Sequence, residues 1–188
     1  MTASFETARL SLSLVREADR TNLIALERDP GVMRFLNGGR PSPDDGAEGG
    51  VSFLRPRGGE SDVWAAVETR SGAFVGWFSL RLIGEGVGEL GYRLRRGAWG
   101  RGFATEGATT LVAGGFAEMG LSRIVAMTMA VNHASRRVLE KTGLSHMRTV
   151  YPDWRDPLPG SEFGEVEYEI TRDEWEAKTR LSAPGALR

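Results

Sequence analysis

The sequence predicts a single α/β domain built on a mixed, mostly antiparallel sheet with helices on both faces. Segments that alternate apolar and polar residues, as half-buried strands do, are interspersed with segments whose apolar residues recur every three or four positions, as in helices. Successive strand patterns in the middle of the chain are separated only by tight turns, which favours antiparallel hairpins. A length of 188 residues fits one domain with a substantial core. We assign the domain to residues 1–180, followed by a flexible tail at 181–188.

The first third of the chain predicts a strand, a helix and an arm. The segment RLSLSLVR alternates leucines with polar residues, and READRTNLIALE has helical spacing. Pro30 and Gly31 are predicted to end this helix. The segment 37–59 is rich in Gly, Pro and Asp, so we interpret it as a mobile arm with one short helix.

The middle of the chain predicts a hairpin followed by a further strand. DVWAAVETR and AFVGWFSLRL are strand patterns joined by a turn at Ser71 and Gly72. GELGYRLR follows after a glycine-rich turn. Its leucines and tyrosine alternate with its other residues, so they are expected on one side of the sheet and Glu89 on the other.

The last third predicts alternating helices and strands. A helix with one apolar stripe begins after Gly102 and ends at Gly120, which is expected to be a left-handed cap. RIVAMTMAV is apolar on both faces, as a central strand is. NHASRRVLEKTG predicts a helix with Asn132 as its N-cap and Gly143 as its C-terminal cap. MRTVYP and EVEYEIT predict a final pair of strands, and RDEWEAK a terminal turn or helix.

Composition narrows the classes of function. With 24 basic and 25 acidic side chains, the chain has no overall field that would attract nucleic acid or an anionic membrane. The absence of cysteine excludes disulfides, thiolate metal sites and a cysteine nucleophile. The two histidines lack companion ligands, so no metal is expected. No signal peptide or membrane-spanning run is found, so we expect a soluble, cytoplasmic protein.

The stretch RRGAWGRGFATEG places glycines and arginines directly before a predicted helix. The first turn of a helix has unsatisfied N–H groups and the positive end of the peptide dipoles, and Gly100 and Gly102 would let a phosphate approach them. The arginines that add positive charge are Arg95, Arg96 and Arg101. A glycine turn with solvated arginines is the alternative interpretation. The Lys-Ser/Thr pair of a P-loop is absent, and Thr105 stands where a dinucleotide fingerprint needs Gly or Ala.

Two motifs together resemble a known family. WGRGFATEG is similar to the Trp-Gly-x-Gly-Tyr/Phe-Ala-Thr-Glu pyrophosphate loop found in one branch of the GNAT superfamily of acetyl-CoA-dependent N-acyltransferases, the branch with the ribosomal-protein N-terminal acetyltransferases. VNHASRRVLEKTGL resembles the second signature of that branch, Asn-x-x-Ser followed by an apolar-Glu-Lys-x-Gly ending. TARLSLSLVREAD and VEYEITRDEW also resemble its two ends, so the resemblance covers nearly the whole chain.

The resemblance implies a splayed sheet in which the strand with Glu89 and the strand ending near Val131 separate at one end. The pantetheine arm of acetyl-CoA would enter this gap and pair with backbone groups of Leu94 and Arg95. The residues implied around the pyrophosphate are Gly100, Arg101, Gly102, Ala104 and Thr105. The residues implied near the thioester are Asn132 and Ser135. The implied reaction is transfer of acetyl from acetyl-CoA to a primary amine, either a protein N-terminus or a small molecule.

This reaction requires that the amine lose a proton, since amines with pKa values of ~8 to ~10.4 are mostly protonated at neutral pH. Glu89 is the candidate base, with a solvated strand carboxylate as the alternative. Glu106 is interpreted instead as an acid that favours the helix dipole, and an N–H near Leu94 is the candidate oxyanion donor. Many GNAT enzymes have a tyrosine acid where this chain has Leu139. Ser135 is then either a substitute acid or a hydroxyl that only binds CoA.

Two other classes of function are weighed against this one. A non-catalytic module that binds acyl-CoA would keep the glycine loop, and Leu139 is compatible with it. A nucleic-acid-binding domain is disfavoured by the near-neutral charge. The identity of the amine, the formation of a homodimer, and the roles of the segments 37–59 and 151–165 stay open.

Overall fold

An open mixed sheet organises the computed structural model, which describes residues 4–40 and 62–182. Its strands are β1 (Ser4–Glu6), β2 (Leu10–Leu14), β3 (Val63–Glu68), β4 (Phe74–Gly84), β5 (Val87–Leu94), β6 (Arg123–Met129), β7 (Ser145–Val150) and β8 (Glu165–Thr171). Its helices are α1 (Arg20–Glu27), α2 (Pro30–Asn37), α3 (Phe103–Ala117), α4 (His133–Lys141) and α5 (Arg172–Ser182). Within the described residues the strand order is β1-β2-β3-β4-β5-β6-β8-β7. Only β5 and β6 pair in parallel there, so the predicted mixed, mostly antiparallel sheet is confirmed.

The predicted alternation along β5 is confirmed by its contacts. Leu90 and Leu94 are buried in the core that α3 covers. Arg93 forms an ion pair with Glu27 of α1, which places α1 on the opposite face. Helices therefore cover both faces, as predicted.

Glycines hold α3 close to the sheet. A Cβ atom at Gly107 would overlap the ring of Phe78 on β4, and one at Gly115 would lie 2.7 Å from a methyl group of Leu80. Only glycine permits this approach without displacing a neighbour. These close contacts hold α3 against β4. At the other end, Gly120 has the predicted left-handed φ of 70°.

The prediction that Pro30 ends the first helix is wrong, because Pro30 is the first residue of α2. The Asp29 side chain caps this helix by accepting a hydrogen bond of 2.9 Å from the Gly31 N–H. Proline is favoured at a first helical position, where its missing N–H would have no intrahelical partner. Pro30 thus marks the start of a helix and not the end of the preceding one.

The ends of other elements differ from the predictions. The short strand β1 was not predicted, and β7 starts at Ser145, two residues earlier than expected. The C-terminal segment is a full helix that extends to Ser182, so the predicted tail begins too early. The predicted arm lies mostly outside the described residues.

Candidate active site

The strands β5 and β6 separate at one end. They pair only where Val87–Glu89 lies beside Arg123–Val125. In the antiparallel pair with β4, the Arg95 N–H donates to the Val75 carbonyl over 3.0 Å. Backbone groups alternate in direction along a strand, so the N–H and C=O groups of even-numbered β5 residues point away from β4. The open end of β5 thus presents backbone groups to a gap, the geometry that an extended ligand needs for pairing.

Most backbone groups of Leu94 and Arg95 already have partners. The Trp99 indole N–H donates to the Leu94 carbonyl over 2.7 Å. The Arg95 N–H is bonded to β4, and its carbonyl accepts a hydrogen bond of 2.9 Å from the Ala98 N–H. The Leu94 N–H is therefore the group of this segment that faces the gap.

The entrance of α3 is a glycine turn, and its glycines place no side chain across the first N–H groups of the helix. Gly100 and Gly102 have left-handed φ values of 72° and 83°. The first N–H bonded within the helix is that of Glu106, over 3.0 Å to the Gly102 carbonyl. The N–H groups of residues 103–105 precede it and remain for an outside acceptor. A Cβ atom at Gly100 would meet nothing within 4 Å, so the entrance is open to an anion.

The three arginines expected at this loop differ in their partners. Arg96 contacts Asp29 at 2.8 Å, and Arg101 contacts Glu68 at 2.5 Å. In the described part of the chain, Arg95 has an exposed side chain with no acidic partner. The positive charges of Arg96 and Arg101 are therefore partly neutralised by their carboxylate partners, whereas the charge of Arg95 is the least compensated of the three.

A clasp formed by Thr7, Arg9 and Glu106 joins the loop to the turn between β1 and β2. One Glu106 oxygen accepts hydrogen bonds from the Thr7 hydroxyl at 2.6 Å and the Arg9 N–H at 2.8 Å. The other accepts from the Arg9 Nε at 2.7 Å. Arg9 also donates to the Arg101 carbonyl over 2.9 Å. Glu106 and Arg9 thus join the glycine loop before α3 to the turn between β1 and β2.

The clasp makes stability depend on pH in a definite direction. Burial alone would raise the pKa of Glu106, but hydrogen bonds from Thr7 and Arg9 outweigh it and hold the pKa below its usual value. The stabilisation is therefore complete at neutral pH and is lost as the pH falls through the folded-state pKa. We expect Glu106→Gln to lower the free energy of unfolding by about 1 to 3 kcal/mol at neutral pH. At an acidic pH below the folded-state pKa of Glu106, the variant and the wild type should differ much less.

Urea unfolding at the two pH values measures this effect. Glu17→Gln is a suitable control, because the Glu17 side chain is 81% exposed and forms an ion pair with Arg20 on the surface. Such surface pairs contribute little. A Glu106→Gln protein as stable as the wild type at neutral pH would rule out the clasp.

Glu89 lies opposite Arg81 on the neighbouring strand. The Arg81 guanidinium donates to the Glu89 Oε2 atom, and both side chains are 33% exposed. Within the described residues, Glu89 Oε1 has no hydrogen bond. One oxygen of the candidate base is thus held in place and the other is available to a proton.

Ser135 lies on the other face of the sheet, in the first turn of α4. Its N–H donates to the Asn132 Oδ1 atom over 3.2 Å, which confirms Asn132 as the N-cap. Its Oγ atom lies 2.9 Å from the Tyr92 hydroxyl. Burial raises the pKa of Tyr92 to about 12, although the hydrogen bond to Ser135 acts the other way. Tyr92 therefore stays protonated at neutral pH.

Tyr92 was not singled out from the sequence. The alternation correctly placed it on the side of β5 away from Glu89. A tyrosine on the core side needs a partner for its hydroxyl, and that signal was available. Leu139 is only 1% exposed and lies in the core, so this position of α4 contributes no polar group.

Two negative findings apply to residues 4–40 and 62–182. No group of three or more histidine and acidic side chains is placed to hold a metal ion. No helix in these ranges has the length and apolar character needed to cross a membrane.

Comparison with known proteins agrees with this geometry. Residues 9–145 match the family described as Acetyltransferase (GNAT) domain. Over 98% of its length, the chain is 34% identical to the Aspergillus fumigatus protein named FsC-acetyl coenzyme A-N(2)-transacetylase, of which the match covers 82%.

Solved structures have the same fold at lower identity. An acetyltransferase (GNAT family) from Bacillus anthracis superimposes with a TM-score of 0.74 at 22% identity, over 90% of this chain and 99% of that one. The spermidine N-acetyltransferase from Vibrio cholerae in complex with CoA and spermine has a TM-score of 0.72 at 13% identity, over 89% and 98%. Since the family match spans most of the sequence and the fungal relative aligns with nearly all of it, the chain belongs to the GNAT acetyltransferase family.

Proposed function

We propose that this acetyltransferase moves the acetyl group of acetyl-CoA to a primary amine by direct attack, without a covalent enzyme intermediate. The observation that carries the proposal is the gap between β5 and β6, with the open entrance of α3 at its end. Glu89 lies on one face of the sheet beside this gap, and Ser135 lies on the other. A base and a hydrogen-bond donor are thus available on opposite sides of a bound thioester.

The cosubstrate supplies the activated acetyl group, and the chain supplies the contacts that hold it. The pyrophosphate would lie at Gly100, Arg101 and Gly102, against the N–H groups of Ala104 and Thr105. Arg95 would add positive charge, and Asn132 would keep the start of α4 ordered beside the thioester. One of the β5 N–H groups that face the gap, near Leu94, would be the donor for the developing oxyanion.

Proton removal is assigned to Glu89. The amine nitrogen bonds to the acetyl carbon as the carbon–sulfur bond breaks, and the amine must lose a proton in the process. Glu89 Oε1 accepts this proton directly or through a water molecule, while Arg81 keeps the carboxylate oriented. The charge of the departing thiolate then develops on the side of Ser135.

Ser135 has two separable tasks, anchoring the cosubstrate and donating to the sulfur. We expect Ser135→Ala to raise the Michaelis constant for acetyl-CoA. The factor should correspond to the loss of one hydrogen bond, a free energy of roughly 0.5 to 1.5 kcal/mol. The saturated rate should fall only modestly, because a thiolate with a pKa near ~8.5 leaves tolerably without an acid. Steady-state kinetics in which acetyl-CoA is varied at a saturating amine concentration separates the Michaelis constant from the saturated rate. If neither the Michaelis constant nor the saturated rate changed, Ser135 would have no role in the site.

The test of the proposed function is thiol release from acetyl-CoA in the presence of an amine panel. The names of the fungal relative and of the Vibrio cholerae structure both specify acetylation of nitrogen, which supports an amine as acceptor. The panel should include spermidine, single amino acids and a peptide with a free N-terminus. Amine-dependent release with formation of the acetylated amine is expected. Tight binding of acetyl-CoA with no transfer to any amine would favour the non-catalytic binding module.

A further inference from the structure

The Tyr92 hydroxyl contacts only Ser135 among the described residues. It lies 2.9 Å from the Ser135 Oγ atom and 3.2 Å from the Ser135 carbonyl oxygen. The ring packs beside Phe78, with its centroid 6.1 Å away, so the phenol is held by the core. Two acceptors of one residue thus compete for a single phenolic proton.

The competition allows two arrangements of hydrogen atoms. In the first, Tyr92 donates to the Ser135 carbonyl, and the serine hydroxyl donates back to the phenol oxygen. In the second, Tyr92 donates to the Ser135 Oγ atom, and the serine proton is free to point elsewhere. Only the second arrangement makes Ser135 a donor to a ligand in the gap.

We propose that Tyr92 is a positioning residue that directs the Ser135 hydroxyl proton toward the sulfur of the bound thioester. This inference rests on the proposed function and adds a residue to it. When negative charge develops on the sulfur, the Ser135 O–H turns toward it, and the Tyr92 O–H takes the place of the lost partner on Oγ. The serine oxygen keeps a hydrogen bond throughout.

The pair donates a hydrogen bond rather than a full proton. The pKa of Tyr92, raised by burial to about 12, exceeds that of a thiol near ~8.5 by more than three units. Net transfer from the phenol to the thiolate is therefore disfavoured by more than about a thousandfold. The leaving group departs as a thiolate stabilised by the Ser135 hydroxyl, and it takes up a proton from water.

Tyr92→Phe tests this role, since it removes one oxygen and keeps the ring in the core. We expect the saturated rate to fall by about threefold to tenfold, the worth of one hydrogen bond, with the Michaelis constant for acetyl-CoA changed less than about twofold. Tyr168→Phe is the matched control. Its hydroxyl bonds to Glu140 and Arg136 of the same helix, at 2.8 and 3.2 Å, so it shares the structural cost without touching Ser135.

The double variant Tyr92→Phe/Ser135→Ala decides whether the two residues act together. Its saturated rate should equal that of Ser135→Ala alone, because Tyr92 acts only through the serine hydroxyl. The inference would be overturned if the rate losses of the two single variants multiplied in the double variant. It would also be overturned if Tyr168→Phe lost as much rate as Tyr92→Phe. A Tyr92→Phe enzyme that changes only the Michaelis constant would overturn it as well. Each of these results still requires amine acetylation by the wild type, whose absence would instead refute the proposed function.

Discussion

Replacing Gly100 by valine is expected to weaken acetyl-CoA binding by at least about a hundredfold, because it removes two or more charge-assisted hydrogen bonds worth about 1.5 to 3 kcal/mol each. A Cβ atom at this position would enter open space at the entrance of α3. In the proposed complex, the pyrophosphate reaches the N–H groups of residues 103–105 through this space. The bulk of valine would block that approach. Isothermal calorimetry with acetyl-CoA measures the loss directly.

A matched control separates this obstruction from backbone strain. Gly120 has a φ of 70°, close to the 72° of Gly100, and its Cβ would also meet nothing within 4 Å. Gly120→Val should therefore suffer the same strain, roughly 1 to 2 kcal/mol, at the far end of α3. Gly102 is a less clean test, because its Cβ would lie 3.2 Å from the Arg9 guanidinium. If Gly100→Val and Gly120→Val bind acetyl-CoA equally well, the pyrophosphate does not bind at this loop.

Structural features that depend on residues a few positions apart in the sequence could be predicted. The faces of β5 follow from a period of two, and the cap at Asn132 follows from a side chain three residues before its donor. The left-handed cap at Gly120 follows from the glycine that comes just after the apolar helix stripe. Pro30 shows the limit of such rules, since a proline marks both the end of one helix and the start of another.

Contacts between distant segments could not be predicted in this way. Glu106 in the first turn of α3 was sufficiently explained by the helix dipole, and nothing in the sequence connected it to Thr7 or Arg9. The hydrogen bond between Tyr92 and Ser135 links residues 43 positions apart, and only the packing of α4 against β5 brings them together. Arg81 is similar, because its pairing with Glu89 depends on the register of the β4–β5 hairpin.

Glu89→Gln is expected to reduce the saturated rate by roughly a hundredfold or more near neutral pH, the usual contribution of a general base. The affinity for acetyl-CoA should stay nearly constant, since Glu89 contacts Arg81 and is not among the residues proposed to hold the pyrophosphate. The deficit should shrink as the pH approaches the pKa of the acceptor amine, because solvent then supplies the neutral amine. Rates measured across this pH range test both statements.

Arg81→Gln is the control that distinguishes a base from an ion pair. Both variants lose the ion pair between Arg81 and Glu89. Because each side chain is 33% exposed, this loss should lower the free energy of unfolding by less than about 1 kcal/mol. Only Glu89→Gln loses the carboxylate, whereas Arg81→Gln loses only its orientation, so Arg81→Gln should lose much less turnover than Glu89→Gln at every pH. Equal losses in the two variants would assign the effect to the ion pair. A Glu89→Gln enzyme with the rate and pH profile of the wild type would make Glu89 a structural residue, and the amine would then have to lose its proton to water or to another group.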